Sequence, residues 1–233
     1  MSPRCFALIP AAGTGARSGA DRPKQYVPLN GEAMLVHTVR AFVRSTRIAA
    51  VRVVLAPGDA WPLSQAAQDL AAFAQGRLHF DNVGGASRAA SVCAGLKVLA
   101  GQAQAQDWVL VHDAARPCIT PELIANLVDL LLDDPVGGLL ALPVADTVKR
   151  ADADGRVAAT LPRDGLWLAQ TPQMFRLGLL REALSRNAMV TDEAAAVEAL
   201  GLSPRLVSGC LSNLKVTFPA DFELAERYLQ EIR

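Results

Sequence analysis

The chain has 233 residues, 51% of them hydrophobic and 20% charged, with 23 Lys plus Arg set against 23 Asp plus Glu. That length suffices for one large α/β domain with a buried core, so residues 1–233 are expected to form a single domain. The even charge balance excludes the basic surface that nucleic acid or an anionic membrane attracts, and no apolar run approaches the roughly 20 residues of a membrane span.

Short apolar runs alternate along the chain with longer segments of helical period. Cys5 to Pro10, Val51 to Ala56, Leu78 to Val83, Trp108 to His112 and Gly138 to Val144 read as strands. Between them, Ala33 to Arg44, Leu63 to Gln75, Arg88 to Leu99 and Glu122 to Leu132 place apolar residues three and four apart, as core-facing helices do. This βαβ rhythm predicts a Rossmann-like, mostly parallel sheet flanked by helices, with ligands at the carboxyl ends of the strands.

The rhythm breaks over about residues 146–171, where a charged segment with Asp154-Gly155 precedes alternating residues and Leu166-Trp167-Leu168. That pattern predicts a projecting β-arm whose sheet edges need cover, and a second copy of the chain is a common source of it. Leu177 to Ser185 and Glu193 to Leu200 then read as helices, Arg205 to Val207 and Lys215 to Phe218 as strands. A last helix begins at Pro219, a favoured first-turn position for proline. The scattered cysteines Cys5, Cys93, Cys118 and Cys210 form no C-x-x-C pair and have no histidine at metal-ligand spacing, so neither a disulfide framework nor a zinc site is expected, and a reducing cytoplasm fits.

Three segments carry chemistry. After the first strand, Pro10-Ala11-Ala12-Gly13-Thr14-Gly15-Ala16-Arg17 is followed by Pro23-Lys24-Gln25-Tyr26. Small residues let backbone N–H groups approach a phosphate, and Arg17 and Lys24 add positive charge. The dinucleotide fingerprint fails because Ser18 stands where its third glycine belongs, and no glycine-lysine-serine or glycine-lysine-threonine ending makes a Walker loop. Gly84-Gly85-Ala86-Ser87-Arg88-Ala89-Ala90-Ser91 opens a helix with amide and hydroxyl groups suited to the edge of a pyrimidine base. Asp113 ends the fourth strand, and one carboxylate there, with phosphates and water, suffices for Mg²⁺. His112 beside it reads as hydrogen-bonded support.

Taken together, these segments closely resemble the 2-C-methyl-D-erythritol 4-phosphate cytidylyltransferases of the non-mevalonate isoprenoid pathway. The family's P-A-A-G-x-G-x-R, P-K-Q-Y, G-G-x-x-R-x-x-S and H-D-A-A-R-P elements are matched at Pro10 to Arg17, Pro23 to Tyr26, Gly84 to Ser91 and His112 to Pro117. Asp146-Thr147-Val148-Lys149, Arg163, Thr171-Pro172-Gln173, Thr191-Asp192-Glu193 and Lys215 follow in the family's order. Ala86 and Ser87 stand where some members carry acidic residues, and Ser208 to Asn213 lacks another.

The resemblance implies transfer of CMP from CTP to a phosphorylated polyol, with Mg²⁺ on Asp113. It implies catalytic roles for Arg17, Lys24, Arg163 and Lys215. Nucleotide contacts are implied at Pro10, Ala11, Ala12, Gly13, Gly15, Lys24, Gly85, Arg88, Ser91, Asp113 and Ala114. Substrate contacts are implied at Arg116, Thr147, Arg163, Thr171, Thr191 and Lys215. It further implies a homodimer in which Arg163 and Thr171 of the arm serve the neighbouring subunit's site. A related cytidylyltransferase acting on another polyol phosphate, such as ribitol 5-phosphate, and a CTP-binding regulator without chemistry are the alternatives.

Overall fold

The protein is described from a computed structural model covering residues 3–13, 22–187 and 190–232. Its centre is a seven-stranded sheet in the order β11-β7-β10-β6-β1-β4-β5. The strands are β1 (Cys5–Pro10), β4 (Ala50–Val54), β5 (Leu78–Asp81), β6 (Trp108–Val111), β7 (Gly137–Pro143), β10 (Trp167–Arg176) and β11 (Arg205–Ser208). β1 pairs in parallel with β4 and β6, β4 with β5, and β11 with β7, while β10 runs antiparallel between β6 and β7.

Alternation along these strands feeds two cores. Ala7 and Ile9 of β1 and Trp108 and Leu110 of β6 face the side covered by α1 (Met34–Arg44), α2 (Gln65–Ala74) and α4 (Pro121–Leu131), where Val39, Phe42, Leu70 and Leu127 meet them. Phe6, Leu8, Val109 and Val111 face the other side, against α3 (Arg88–Leu99), α5 (Leu177–Arg186) and α6 (Glu193–Glu198). Burial on both faces is why these strands read as unbroken apolar runs. α7 (Pro219–Glu231) closes a smaller cluster in which Ala225 and Leu229 pack with Leu29, Met34 and Val216. The small hairpin β2 (Pro28–Leu29) and β3 (Glu32–Ala33) leads into α1.

Two sequence expectations change. The arm was expected to run to Thr171, but its hairpin is β8 (Val148–Ala151) paired with β9 (Val157–Leu161), and the chain re-enters the main sheet as the ten-residue β10. Pro172 and three polar neighbours disguise that strand. Pro172 is tolerated because the β10–β7 pairing is irregular between Ala169 and Gln173, where no regular ladder donor is needed. The strand expected at Lys215 to Phe218 is absent; that segment runs against the loop after β6, with Val216 N–H donating to the Ala115 carbonyl at 2.8 Å.

Register places the functional loops. Leu8 aligns with Val111, so the segments after β1 and β6 leave the same edge of the sheet. β10 arrives from the opposite direction with Gln173 opposite Val111, which carries the residues preceding Gln173 to that edge too. On the far side of β7, Gly138 lies so close to β11 that a β-carbon would overlap the Arg205 carbonyl. Gly138→Ala is therefore expected to lower the free energy of unfolding by about 1–3 kcal/mol in urea titration; an unchanged midpoint would contradict this packing.

Candidate functional site

The site is built around Asp113, 7% exposed, two residues beyond the end of β6. Its Oδ1 accepts from Arg88 Nε at 2.8 Å, and its Oδ2 lies 2.8 Å from Lys215 Nζ and 3.9 Å from Arg116 Nε. Burial alone would raise the Asp113 pKa, but the charges and hydrogen bonds of Arg88 and Lys215 hold it well below the usual carboxylate range.

Arg88 is the first residue of α3, whose N-terminus Ser87 caps by accepting from Ala90 N–H. Its guanidinium also grips Glu193, with Nη1 to Oε1 at 2.6 Å and Nη2 to Oε2 at 3.0 Å. Burial opposes the Arg88 charge, yet Glu193 and Asp113 together raise its pKa above the ordinary arginine value. Burial pushes the Glu193 carboxyl up, and Arg88 recovers only part of the shift. The opposite directions at Asp113 and Glu193 follow from cation count: Asp113 has Lys215 as well as Arg88. Glu193 itself is placed by α6, where Asp192 caps the helix by accepting from Ala195 N–H. Gln173 of β10 bonds both to Asp192 and to Ala194 N–H.

A neutral hydrogen-bonded chain supports Asp113 from behind. Asp113 N–H donates to Thr171 Oγ1 at 3.0 Å, and Thr171 Oγ1 lies 3.0 Å from His112 Nδ1. His112 Nε2 lies 3.1 Å from the Arg116 carbonyl. A carbonyl only accepts, so Nε2 carries the proton and Nδ1 accepts from the threonine hydroxyl. Burial pushes the His112 pKa down to about 3, which keeps the ring neutral.

Pro10, Ala11, Gly13, Lys24, Gln25, Asp113, Ala114, Ala115 and Lys215 line one 140 Å³ pocket. Gln25 ties the 3-10 turn Lys24–Tyr26 to the first loop by donating to the Ala11 carbonyl at 2.7 Å, and Lys24 Nζ donates to the Val216 carbonyl at 2.6 Å. Arg88, Thr191 and Glu193 line a neighbouring 260 Å³ pocket. The Arg88–Asp113 pair thus links the two spaces. Gly85 N–H donates to Ser91 Oγ at 3.1 Å, so the expected base-reading pair already forms one turn at the head of α3. Ala12 packs behind that turn: a β-carbon on Gly84 would collide with its methyl group. A larger 690 Å³ cavity between α3 and α5 is bordered by Lys97, Arg181, Glu182 and Arg186, all exposed and none joined to Asp113.

Several expectations shift in detail. Gly15 and Arg17 lie outside the described residues. Thr171 was expected to act on a neighbouring subunit, but it is buried in its own chain's sheet and bonded to its own Asp113 and His112. Arg116, expected at a substrate phosphate, is 8% exposed and directs Nη1 to the Asn213 carbonyl at 2.7 Å and Nη2 to the Ala169 carbonyl at 3.4 Å. These two contacts brace the loop. Thr147 and Arg163 stand on the exposed arm, with the Arg163 guanidinium donating to the Ala145 carbonyl. Sequence reasoning gave Glu193 no role; an acidic residue in a helix's first turn ordinarily answers the helix dipole.

Comparison with known proteins points to one family. The family described as 2-C-methyl-D-erythritol 4-phosphate cytidylyltransferase matches residues 5–231. A relative of that name from Dechloromonas aromatica is 54% identical over 98% of both chains. Another from Laribacter hongkongensis is 56% identical over 97% of this chain and 96% of its own. A crystal structure of 4-diphosphocytidyl-2C-methyl-D-erythritol synthase superposes with a TM-score of 0.85 at 39% identity, covering 98% of this chain and 99% of that one. The Thermus thermophilus cytidylyltransferase superposes with a TM-score of 0.77 at 32% identity, covering 97% and 99%.

Replacing Thr171 with valine keeps the shape but leaves the Asp113 N–H without its acceptor. A loss of about 1–3 kcal/mol in unfolding free energy is expected, with Thr171→Ser close to wild type. Equal stability of the valine and serine variants in denaturant titration would show that the hydroxyl does not carry this contact.

Proposed function

The chain belongs to the 2-C-methyl-D-erythritol 4-phosphate cytidylyltransferase family, and on that premise we propose that the Asp113 cluster is where its two substrates meet. The enzyme is a nucleotidyltransferase of isoprenoid precursor biosynthesis, joining CTP and 2-C-methyl-D-erythritol 4-phosphate to give CDP-methylerythritol and pyrophosphate. The observation that carries the residue assignment is one buried carboxylate at a strand end, 2.8 Å from Arg88 and from Lys215, in the same pocket as Lys24 and the loop after β1. The whole chain, 1–233, acts as one nucleotidyltransferase domain bearing an arm.

In the reaction a phosphate oxygen of methylerythritol phosphate attacks the α-phosphorus of CTP. A new P–O bond forms, the bond to the bridging oxygen breaks, and pyrophosphate leaves with that electron pair. The attacking phosphate has a second pKa of about 6 and is already largely ionised at neutral pH, so a general base adds little. The barrier is one of charge, since an anion must approach a triphosphate. Arg17, Lys24 and the amides of Ala12 and Gly13 are proposed to meet that need, the Ala11 N–H being taken by the Val54 carbonyl; positioned donors of this kind are worth about 2.7–4 kcal/mol each. Lys215, whose side chain is 44% exposed, is free to turn from Asp113 toward the acceptor phosphate. The Gly84–Ser91 turn receives the cytosine, and Thr191, which faces the adjoining pocket, lies on the acceptor side.

Asp113 fits Mg²⁺ as a single carboxylate ligand. Among the described residues no group of three His, Cys, Asp or Glu is placed to hold a metal by protein ligands alone. Mg²⁺ commonly takes one or two carboxylates and completes its shell with phosphates and water. Oδ2, shared with the exposed end of Lys215, is the oxygen available to it. The ion would supply positive charge to the triphosphate.

The arm is proposed to pair with a second copy of the chain. Val157, Leu166, Trp167 and Leu168 are 65%, 40%, 38% and 60% exposed, an apolar surface that dimerisation would cover. Thr147 and Arg163 then reach the partner's site, while Thr171 serves its own. No helix among the described residues is long and apolar enough to cross a membrane, and the cytoplasm is the proposed compartment.

Incubation with CTP, Mg²⁺ and methylerythritol phosphate should give CDP-methylerythritol by mass, with ribitol 5-phosphate a poor acceptor; turnover of ribitol phosphate alone would overturn the acceptor assignment. Lys24→Ala should reduce kcat by on the order of 10²–10³-fold with little change in CTP affinity, and an equal loss in both would contradict its placement at the reacting phosphates. Mixing inactive Lys24 and Arg163 variants should restore part of the activity. A verified mixed dimer that stays inactive would exclude Arg163 from acting across the interface.

A further inference from the structure

Glu193 is 1% exposed, carries a two-point contact to Arg88, and has no place in the reaction described above. A carboxylate this deeply buried is tolerated only where its charge is matched, and both of its oxygens are occupied by one guanidinium. That contact determines what remains of Arg88. With Nη1 and Nη2 turned to Glu193, the edge bearing Nε is presented to Asp113 Oδ1 at 2.8 Å. Lys215 takes Oδ2. The two oxygens of Asp113 are thereby distinguished: one has a fixed partner, the other an exposed and movable one.

We infer that Glu193 is a positioning residue, holding Arg88 so that the Asp113 carboxylate keeps one orientation with Oδ2 toward the reacting phosphates. The inference rests on the proposed site but adds a residue that touches neither substrate. Its rigidity has a visible source. Gln173 in β10 bonds to both Asp192 and Ala194 N–H, so the first turn of α6 is tied to the sheet strand beside β6. β10, α6 and α3 therefore reach Asp113 through one line of contacts: Gln173 to the head of α6, Glu193 to Arg88, and Arg88 to the carboxylate. Substitution at Glu193 should act on geometry at the phosphorus, where a displacement of about 1 Å can cost on the order of 10²-fold in rate.

Glu193→Gln keeps the side-chain volume and removes the charge-paired fork. It should lower kcat by on the order of 10- to 100-fold while the KM for CTP changes by less than about threefold. Glu198→Gln, an exposed position on the same helix, should leave both constants unchanged. If Glu193 works through Arg88, the double variant Arg88→Gln/Glu193→Gln should be no slower than Arg88→Gln alone. A crystal structure of Glu193→Gln should show the 2.8 Å contact between Arg88 Nε and Asp113 Oδ1 lost. Wild-type kcat in Glu193→Gln, a double variant whose loss is the product of the two single losses, or a fall in activity that only follows a fall in folded fraction would each overturn the inference. Absence of product from the wild-type chain would instead defeat the proposed function. In that event the crystal structure decides: an intact Arg88–Asp113 contact refutes the positioning role, and its loss supports it.

Discussion

A carboxylate taken as far from water as Asp113 costs several kcal/mol in lost hydration unless charges and donors replace the solvent. The replacements come from distant parts of the chain: Arg88 from the head of α3, Lys215 from the segment before α7, and the Thr171 hydroxyl from β10. None of them is near Asp113 in sequence. Satisfying one buried charge therefore requires most of the fold to be in place, and the same contacts assemble a pocket rich in positive charge. Counting Lys24, Arg88, Arg116 and Lys215 against Asp113 and Glu193 leaves an excess of cations suited to a triphosphate and a phosphate monoester.

The sheet makes this convergence possible. Parallel pairing of β1 with β6 brings the Ala11–Gly13 segment and Asp113 to one edge, and the antiparallel β10 delivers Thr171 to the same place from the other side. The apolar alternation that fills both cores thus also sets the relative heights of the loops. Close packing limits how far those heights can drift. At Gly84, where a β-carbon would meet Ala12 and the Leu55 carbonyl, the second loop is pressed directly against the first.

The parts of this arrangement legible in the sequence are those governed by local pattern. β1 and α3 have the expected bounds because their burial imposes an apolar run in one and helical period in the other. The short loop motifs, together with their resemblance to a known family, singled out Lys24, Arg88, Asp113 and Lys215, which the structure gathers around two adjoining pockets. β10 was hidden because Gln170, Thr171, Pro172 and Gln173 are polar or lack a ladder donor, and their suitability for a central strand depends on partners distant in sequence. The same distance concealed the bracing role of Arg116 and the cis placement of Thr171. Lys215 to Phe218 reads as a strand by composition, but its neighbour is a loop. Glu193 falls in a segment that matches the family, but its partner is not legible there, since only the fold brings it to Arg88.

The proposed positioning gives the two oxygens of Asp113 different fates: Oδ1 retained by Arg88, Oδ2 released by Lys215 when substrates arrive. A crystal structure with CTP, Mg²⁺ and unreactive acceptor bound measures this directly. Arg88 Nε is expected to stay within hydrogen-bond distance of Oδ1 while Lys215 Nζ leaves Oδ2 for the acceptor phosphate. A complex in which Lys215 remains at its present 2.8 Å from Asp113, with substrates bound elsewhere, would contradict it.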